Sequence, residues 1–160
     1  MSSAFVPGSF DPITLGHIDI IERASKIFDK VYVVIAINAD KKYLFSLEER
    51  KEIAEAAVKN LGNAEVIICD GIVVELAKAL GVNVLVKGIR NEKDLEYENN
   101  IEEINKGIDG DIETVYLPAK KELSNISSTA ARKFITYGMP IERFVGKTVA
   151  DKIAELAKRV

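Results

Sequence analysis

The chain has 160 residues, 48% of them hydrophobic, enough for one compact domain with a single substantial core, so residues 1–160 read as one domain. Acidic residues outnumber basic ones by 25 to 22, for a net charge of -3. No overall field draws such a chain to nucleic acid or to an anionic membrane, and any phosphate recognition must be local. Cys69, the one cysteine, excludes an internal disulfide framework and fits a reducing compartment. The opening Met1–Pro7 lacks the charged start and apolar stretch of a secretory signal, and the longest apolar run, Val31 to Ile37, is too short to span a bilayer. A soluble, cytoplasmic protein is expected.

The first predicted strand is Ala4 to Val6. It is followed by Pro7-Gly8-Ser9-Phe10-Asp11-Pro12-Ile13-Thr14-Leu15-Gly16-His17 and then by a helical pattern of Ile18, Ile21, Ala24, Ile27 and Phe28. Thr14 is placed to cap that helix, which puts His17 in the first turn, where free amides and the positive end of the helix dipole favour an anion. Gly8 and Gly16 lack a Cβ and allow a phosphate close to the backbone. The dipole opposes a positive imidazole and favours a neutral ring with one donor. Read singly, these glycines serve turns and the histidine decorates a helix start.

The second strand, Val31 to Ile37, ends in Asn38-Ala39-Asp40-Lys41-Lys42-Tyr43-Leu44-Phe45, in which Lys42 reads as a solvated loop residue. Ser46-Leu47-Glu48-Glu49 is a capping box that opens a helix to about Asn60, with Gly62 as a stop. A third strand at Glu65 to Ile68 precedes a helix from Ile72 to Leu80, closed by Gly81. The fourth strand, Val82 to Val86, leads into Lys87-Gly88-Ile89-Arg90-Asn91-Glu92-Lys93-Asp94-Leu95-Glu96-Tyr97-Glu98. Lys87 and Arg90 either pair with the acids that follow or meet phosphates at the strand's carboxyl end. The fifth strand is Glu113 to Leu117, and Leu123-Ser124-Asn125-Ile126-Ser127-Ser128-Thr129 runs into a helix that Gly138 and Pro140 end. A last helix spans about Lys147 to Lys158, with Val149, Ile153, Leu156 and Ala157 on one face.

Short β-branched runs without alternation, each separated by room for a crossover helix, predict a doubly wound five-stranded parallel sheet. Ligands in such sheets bind beyond the carboxyl ends of the strands, where strand order reverses. The segments after the first, second and fourth strands leave those ends.

Gly8 to Pro12 followed by Thr14-Leu15-Gly16-His17 is similar to the G-S/T-F-D-P and T/H-x-G-H signatures of the nucleotidyltransferase superfamily. Ile126-Ser127-Ser128-Thr129-Ala130-Ala131-Arg132 is similar to its I-S-S-T-x-x-R. Lys87 to Glu98 resembles the R-G-L-R…F/L-E-Y-E of the bacterial phosphopantetheine adenylyltransferase family, with Lys87 where that family most often has Arg. Leu123 stands where many relatives have Trp. The resemblance runs from Val6 to the last helix and implies a Rossmann-like nucleotidyltransferase fold. The reaction it implies is attack of the 4'-phosphate of phosphopantetheine on the α-phosphorus of ATP, with Mg²⁺ carried by the nucleotide. The implied catalytic groups are His17, Lys41 and Arg90, and Ser9, Lys41, Val73 and Lys87 would bind the acceptor. ATP would meet Ser9, Phe10, His17, Gly88, Ile89, Arg90, Glu98, Leu123, Ser124, Asn125, Ile126, Ser127, Ser128 and Thr129. A homohexamer and inhibition by coenzyme A are also implied.

A phosphate nucleophile is already ionised at neutral pH, so neither a general base nor a covalent intermediate is required. Gly146-Lys147-Thr148 imitates the end of a P-loop, but Ile141 stands where the first glycine is needed, and no G-x-G-x-x-G follows the first strand. One histidine and one cysteine cannot make a zinc site. The competing readings are a sibling transferase with another phosphorylated acceptor and a noncatalytic adenine-nucleotide sensor.

Overall fold

A computed structural model describes residues 1–159, so the final residue of the predicted domain lies outside it. Five parallel strands, β1 (Ser3–Gly8), β2 (Lys30–Ala36), β3 (Ala64–Cys69), β4 (Val84–Ile89) and β5 (Glu113–Pro118), form one sheet in the order β3-β2-β1-β4-β5. The chain steps outward from β1 to β3, then returns to the other side of β1 to lay down β4 and β5. The switch point therefore lies between β1 and β4, whose carboxyl ends open a crevice that no connection crosses.

The helices are α1 (Leu15–Ile27), α2 (Leu47–Val58), α3 (Val73–Ala79), α4 (Glu92–Ile108), α5 (Ser128–Thr136) and α6 (Glu142–Ala157). Burial on both sheet faces explains the uninterrupted apolar runs. Ala4 and Val6 point into a large core with Ile21, Ile53, Phe144 and Ile153, while Phe5, between them, joins a smaller core with Val34, Val74 and Leu85 on the opposite face. On that second side α4 buries none of its residues.

The predicted doubly wound sheet is present, and the larger boundary differences lie at the end of the fourth strand, in the segment after it and at the last helix. The fourth strand was expected to end at Val86 but continues through Lys87, Gly88 and Ile89, because their backbones pair with Tyr116, Leu117 and Pro118 of β5. In the polar stretch to Glu98, Asn91 caps α4 by accepting from the Asp94 amide, and the helix begins at once. The last helix starts at Glu142 rather than Lys147, but Gly146 interrupts it at φ 81° and ψ 167°. Leu15 lies 3.1 Å from where a Cβ on Gly146 would stand, so glycine is needed there for both conformation and space.

Candidate active site

The crevice is a cleft of about 460 Å³ adjoined by a second chamber of about 300 Å³, and Pro7, Gly8, Ser9, Lys41, Lys87 and Ile101 line both. The shared wall is thus the carboxyl end of β1 together with Lys41, Lys87 and Ile101 of α4.

The turn after β1 is built from the inside. Phe10 is 2% exposed and held at φ 49°, a left-handed conformation that costs a bulky residue about 1 kcal/mol or more. Its ring lies only 3.1 Å from the position of a Cβ on Gly8, so β1 can turn this tightly only because Gly8 has none. The buried Asp11 carboxylate accepts from the backbone amides of Leu44 and Phe45, both at 2.9 Å. One carboxylate thereby fixes the β2–α2 loop that carries Lys41. Arg132 donates to the Asp11 carbonyl at 2.9 Å and Ser128 Oγ to the Pro12 carbonyl at 2.8 Å, docking the start of α5 against the same turn.

Thr14 and His17 form a reciprocal cap. Thr14 Oγ1 accepts from the His17 amide while His17 Nδ1 accepts from the Thr14 amide at 3.0 Å. With its lone pair engaged, Nδ1 carries no proton, and the neutral ring keeps its hydrogen on Nε2 as a donor for the cleft. Burial of the ring, with the Arg90 guanidinium second, lowers its pKa from 6.5 to about 4. The neutral ring expected from the sequence is therefore present, but burial against an edge-on Phe10, 5.1 Å between centroids, is the leading cause rather than the helix dipole.

Lys87 Nζ lies 3.1 Å from Glu98 and Arg90 Nε lies 3.1 Å from Asp94. Each cation pairs with an acid of α4 and also lines the cleft. Lys41 stands exposed in a turn, its amide donating to the Asn38 carbonyl at 3.0 Å.

Of the residues singled out by sequence, the larger chamber gathers Ser9, Phe10, His17, Lys41, Lys87, Gly88, Arg90, Glu98, Leu123, Ile126, Ser127, Ser128 and Thr129. Val73, the first residue of α3, lines the smaller chamber beside Lys41 and Lys87. Ile89, Ser124 and Asn125 line neither: Ile89 closes β4, and Ser124 Oγ donates back to the Lys121 carbonyl at 2.8 Å. Among the three hydroxyls at the start of α5, Ser127 is the N-cap, accepting from the Ala130 amide, and Ser128 Oγ donates to the Pro12 carbonyl. Sequence reasoning passed over Asp11 as a loop anchor and Arg50 altogether. Asp11 lies in the quoted G-S-F-D-P run, but Arg50 looks like any polar residue of an amphipathic helix.

The cytidylyltransferase-like family model matches residues 5–134, which takes in β1, the cap of α1, β4 and the start of α5. A phosphopantetheine adenylyltransferase from Symbiobacterium thermophilum is 42% identical over 97% of this chain and 96% of its own length. The chain belongs to the phosphopantetheine adenylyltransferase family. A member from Clostridium botulinum, strain Alaska E43, is 40% identical and is matched over 99% of both chains. Among solved structures, a bifunctional NMN adenylyltransferase/ADP ribose pyrophosphatase from Francisella tularensis superposes with a TM-score of 0.71 at 16% identity, covering 98% of this chain and 49% of that one. That likeness shows the fold alone.

Proposed function

We propose that this protein, acting as one domain, transfers the adenylyl group of ATP to 4'-phosphopantetheine and forms dephospho-coenzyme A and pyrophosphate. The observation that carries the reading is the pair of chambers joined at Ser9, Lys41 and Lys87. The larger chamber, walled by Gly88, Arg90 and the start of α5, suits a nucleotide. The smaller one sets Ala36, Ile37, Val73 and Leu85 beside Asn38 and Asn105, a mixed lining that suits a slender arm of short alkyl segments and amides.

A phosphate oxygen of the acceptor attacks the α-phosphorus, and the bond from that phosphorus to the bridging oxygen of the β-phosphate breaks. The electron pair leaves with pyrophosphate. Catalysis is then positioning and charge neutralisation. Ser9 and Lys87 hold the acceptor phosphate, and His17 Nε2–H and Lys41 meet the charge that redistributes over the α-phosphate. Arg90 and the amides at the start of α5 receive the leaving group, a helix N-terminus being a ready anion site. Lys87 and Arg90 exchange Glu98 and Asp94 for phosphate oxygens as the ligands enter. Mg²⁺ carried by ATP would supply neutralisation of phosphate charge. Among the described residues no group of three or more His, Cys, Asp or Glu is placed to hold a metal, and the phosphates themselves suit that ion.

The protein works in the cytoplasm in this reading, and among the described residues no helix is long and apolar enough to cross a membrane. A homohexamer, with coenzyme A as feedback inhibitor, completes the proposal. Exposed Leu95, Tyr97, Ile104 and Ile108 on α4 support an association face. The deciding assay is pyrophosphate release from ATP and Mg²⁺ with a panel of phosphorylated acceptors. Turnover is expected with phosphopantetheine, and equal turnover with nicotinamide mononucleotide would refute the assignment.

A further inference from the structure

Arg50, in the first turn of α2, is 3% exposed. Its partners among the described residues are two carbonyl oxygens and an aromatic ring, with no carboxylate among them. Nη1 donates to the Ser9 carbonyl at 2.9 Å and, more weakly, to the Ala36 carbonyl at 3.4 Å. The guanidinium carbon sits 3.9 Å over the Tyr43 ring, and Nε is buried with no hydrogen-bond partner. Burying a charge without a counter-ion is costly, and a core that needed only volume at this point would hold an apolar side chain at lower cost. The contacts say what the guanidinium does instead. Ser9 opens the turn after β1 and Ala36 ends β2, so one planar group ties the carboxyl end of β1, which forms the shared wall of the cleft, to that of β2.

The stack extends the tie to Lys41. Tyr43 Oη accepts from the Asn38 amide at 2.8 Å, and Asn38 closes the turn by accepting the Lys41 amide on its carbonyl and the Asp40 amide on its side chain. From the buried guanidinium through the ring to the lysine turn there is an unbroken line of contacts. A flat, five-donor group can stack and donate sideways together, which an ammonium cannot.

We infer that Arg50 is a positioning residue for adenylyl transfer, holding the Ser9 turn and the Lys41 turn in one register so that the acceptor phosphate at Ser9 faces the α-phosphate at Lys41. The inference rests on the adenylyl-transfer reading above. The test compares Arg50→Met, Arg50→Lys and Tyr43→Leu, each in the parent and in a Lys41→Ala background, by steady-state pyrophosphate release with the folded fraction measured in parallel. Because displacement by about 1 Å can cost about 10²-fold in rate, Arg50→Met should lower kcat by about that factor, with the KM for ATP nearly unchanged. Arg50→Lys, which keeps charge and loses the stack, should recover little. In the Lys41→Ala background the same change should cost only about 3-fold, since residues acting through one another are not additive. If Arg50→Met does not fold, Tyr43→Leu carries the same comparison from a half-buried site. Equal losses in the two backgrounds, or a folded Arg50→Met enzyme with the parent kcat, would overturn the inference alone. A parent protein that releases no pyrophosphate with phosphopantetheine overturns both it and the reading beneath it.

Discussion

His17→Ala removes two things at once. Nδ1 no longer accepts the Thr14 amide, which it meets at 3.0 Å, and Nε2–H is lost as a donor to the α-phosphate. The first loss acts on stability: half of a reciprocal helix cap typically contributes about 1 kcal/mol. The second acts on rate. A donor that strengthens mainly in the transition state lowers kcat, with ground-state ATP still held by Arg90 and the start of α5. Loss of one such group typically costs about 10²- to 10³-fold, or about 3–4 kcal/mol. The two effects separate by choice of replacement. A glutamine side chain three residues after Thr14 completes the T-x-x-Q spacing of a capping box, so its oxygen can accept the Thr14 amide while its NH₂ faces the cleft. His17→Gln should therefore keep the parent stability and recover part of kcat, and His17→Asn, shorter by one methylene, should recover less. Stopped-time kinetics, ATP calorimetry and thermal melts on the three variants give rate, binding and stability separately. Parent-like turnover of His17→Ala, or a loss of ATP affinity in proportion to its rate, would refute the reasoning.

The same ring sets a pH dependence. Its folded pKa, about 4, lies below the unfolded 6.5, so the unfolded chain binds the extra proton. Stability from the neutral ring is complete above pH 6.5 and fades as pH falls toward 4, by about 2–3 kcal/mol after allowance for cleft water. Melts of parent and His17→Gln should diverge across that window, and parallel curves would refute the assignment. Lys87→Arg should retain activity because the charge is kept, whereas Lys87→Ala leaves Glu98 unpaired in the cleft and should lower kcat/KM for the acceptor by about 10- to 10²-fold. Adding Glu98→Gln to Lys87→Ala should restore part of that loss in the same assay. A Cβ on Gly88 would stand 2.9 Å from Ile20 Cγ1, so Gly88→Ala should destabilise by about 1–3 kcal/mol, less than additively with Ile20→Ala in denaturant melts. Asp11→Ala frees the Leu44 and Phe45 amides and should cost about 3 kcal/mol. Asp11→Asn, retaining one acceptor, should cost about half as much by the same measurement.

What the chain alone determined is what depends on local order. The absence of alternation in Val31 to Ile37 meant burial on both faces, and Ser46 to Glu49 and Thr14 announced helix starts, because caps are set by neighbours within about four residues, while the G-S-F-D-P, T-x-G-H and S-S-T runs were legible through their resemblance to a known family. Tertiary structure decided whatever depends on a distant partner. Lys87 to Ile89 became strand because β5 lies alongside, and α4 followed at once. The neutral state of His17 was legible near the helix end, but its leading cause, burial, comes from residues brought over it by the fold. Ser128 reads as a phosphate-binding hydroxyl, and only the fold shows it donating to Pro12, 116 positions away. Arg50 shows the limit most clearly. Within α2 it is one more charge on an amphipathic surface, and only the meeting of β1, β2 and Tyr43 around it makes it a buried guanidinium behind the phosphate site, since no local pattern encodes which carbonyls will converge on a side chain.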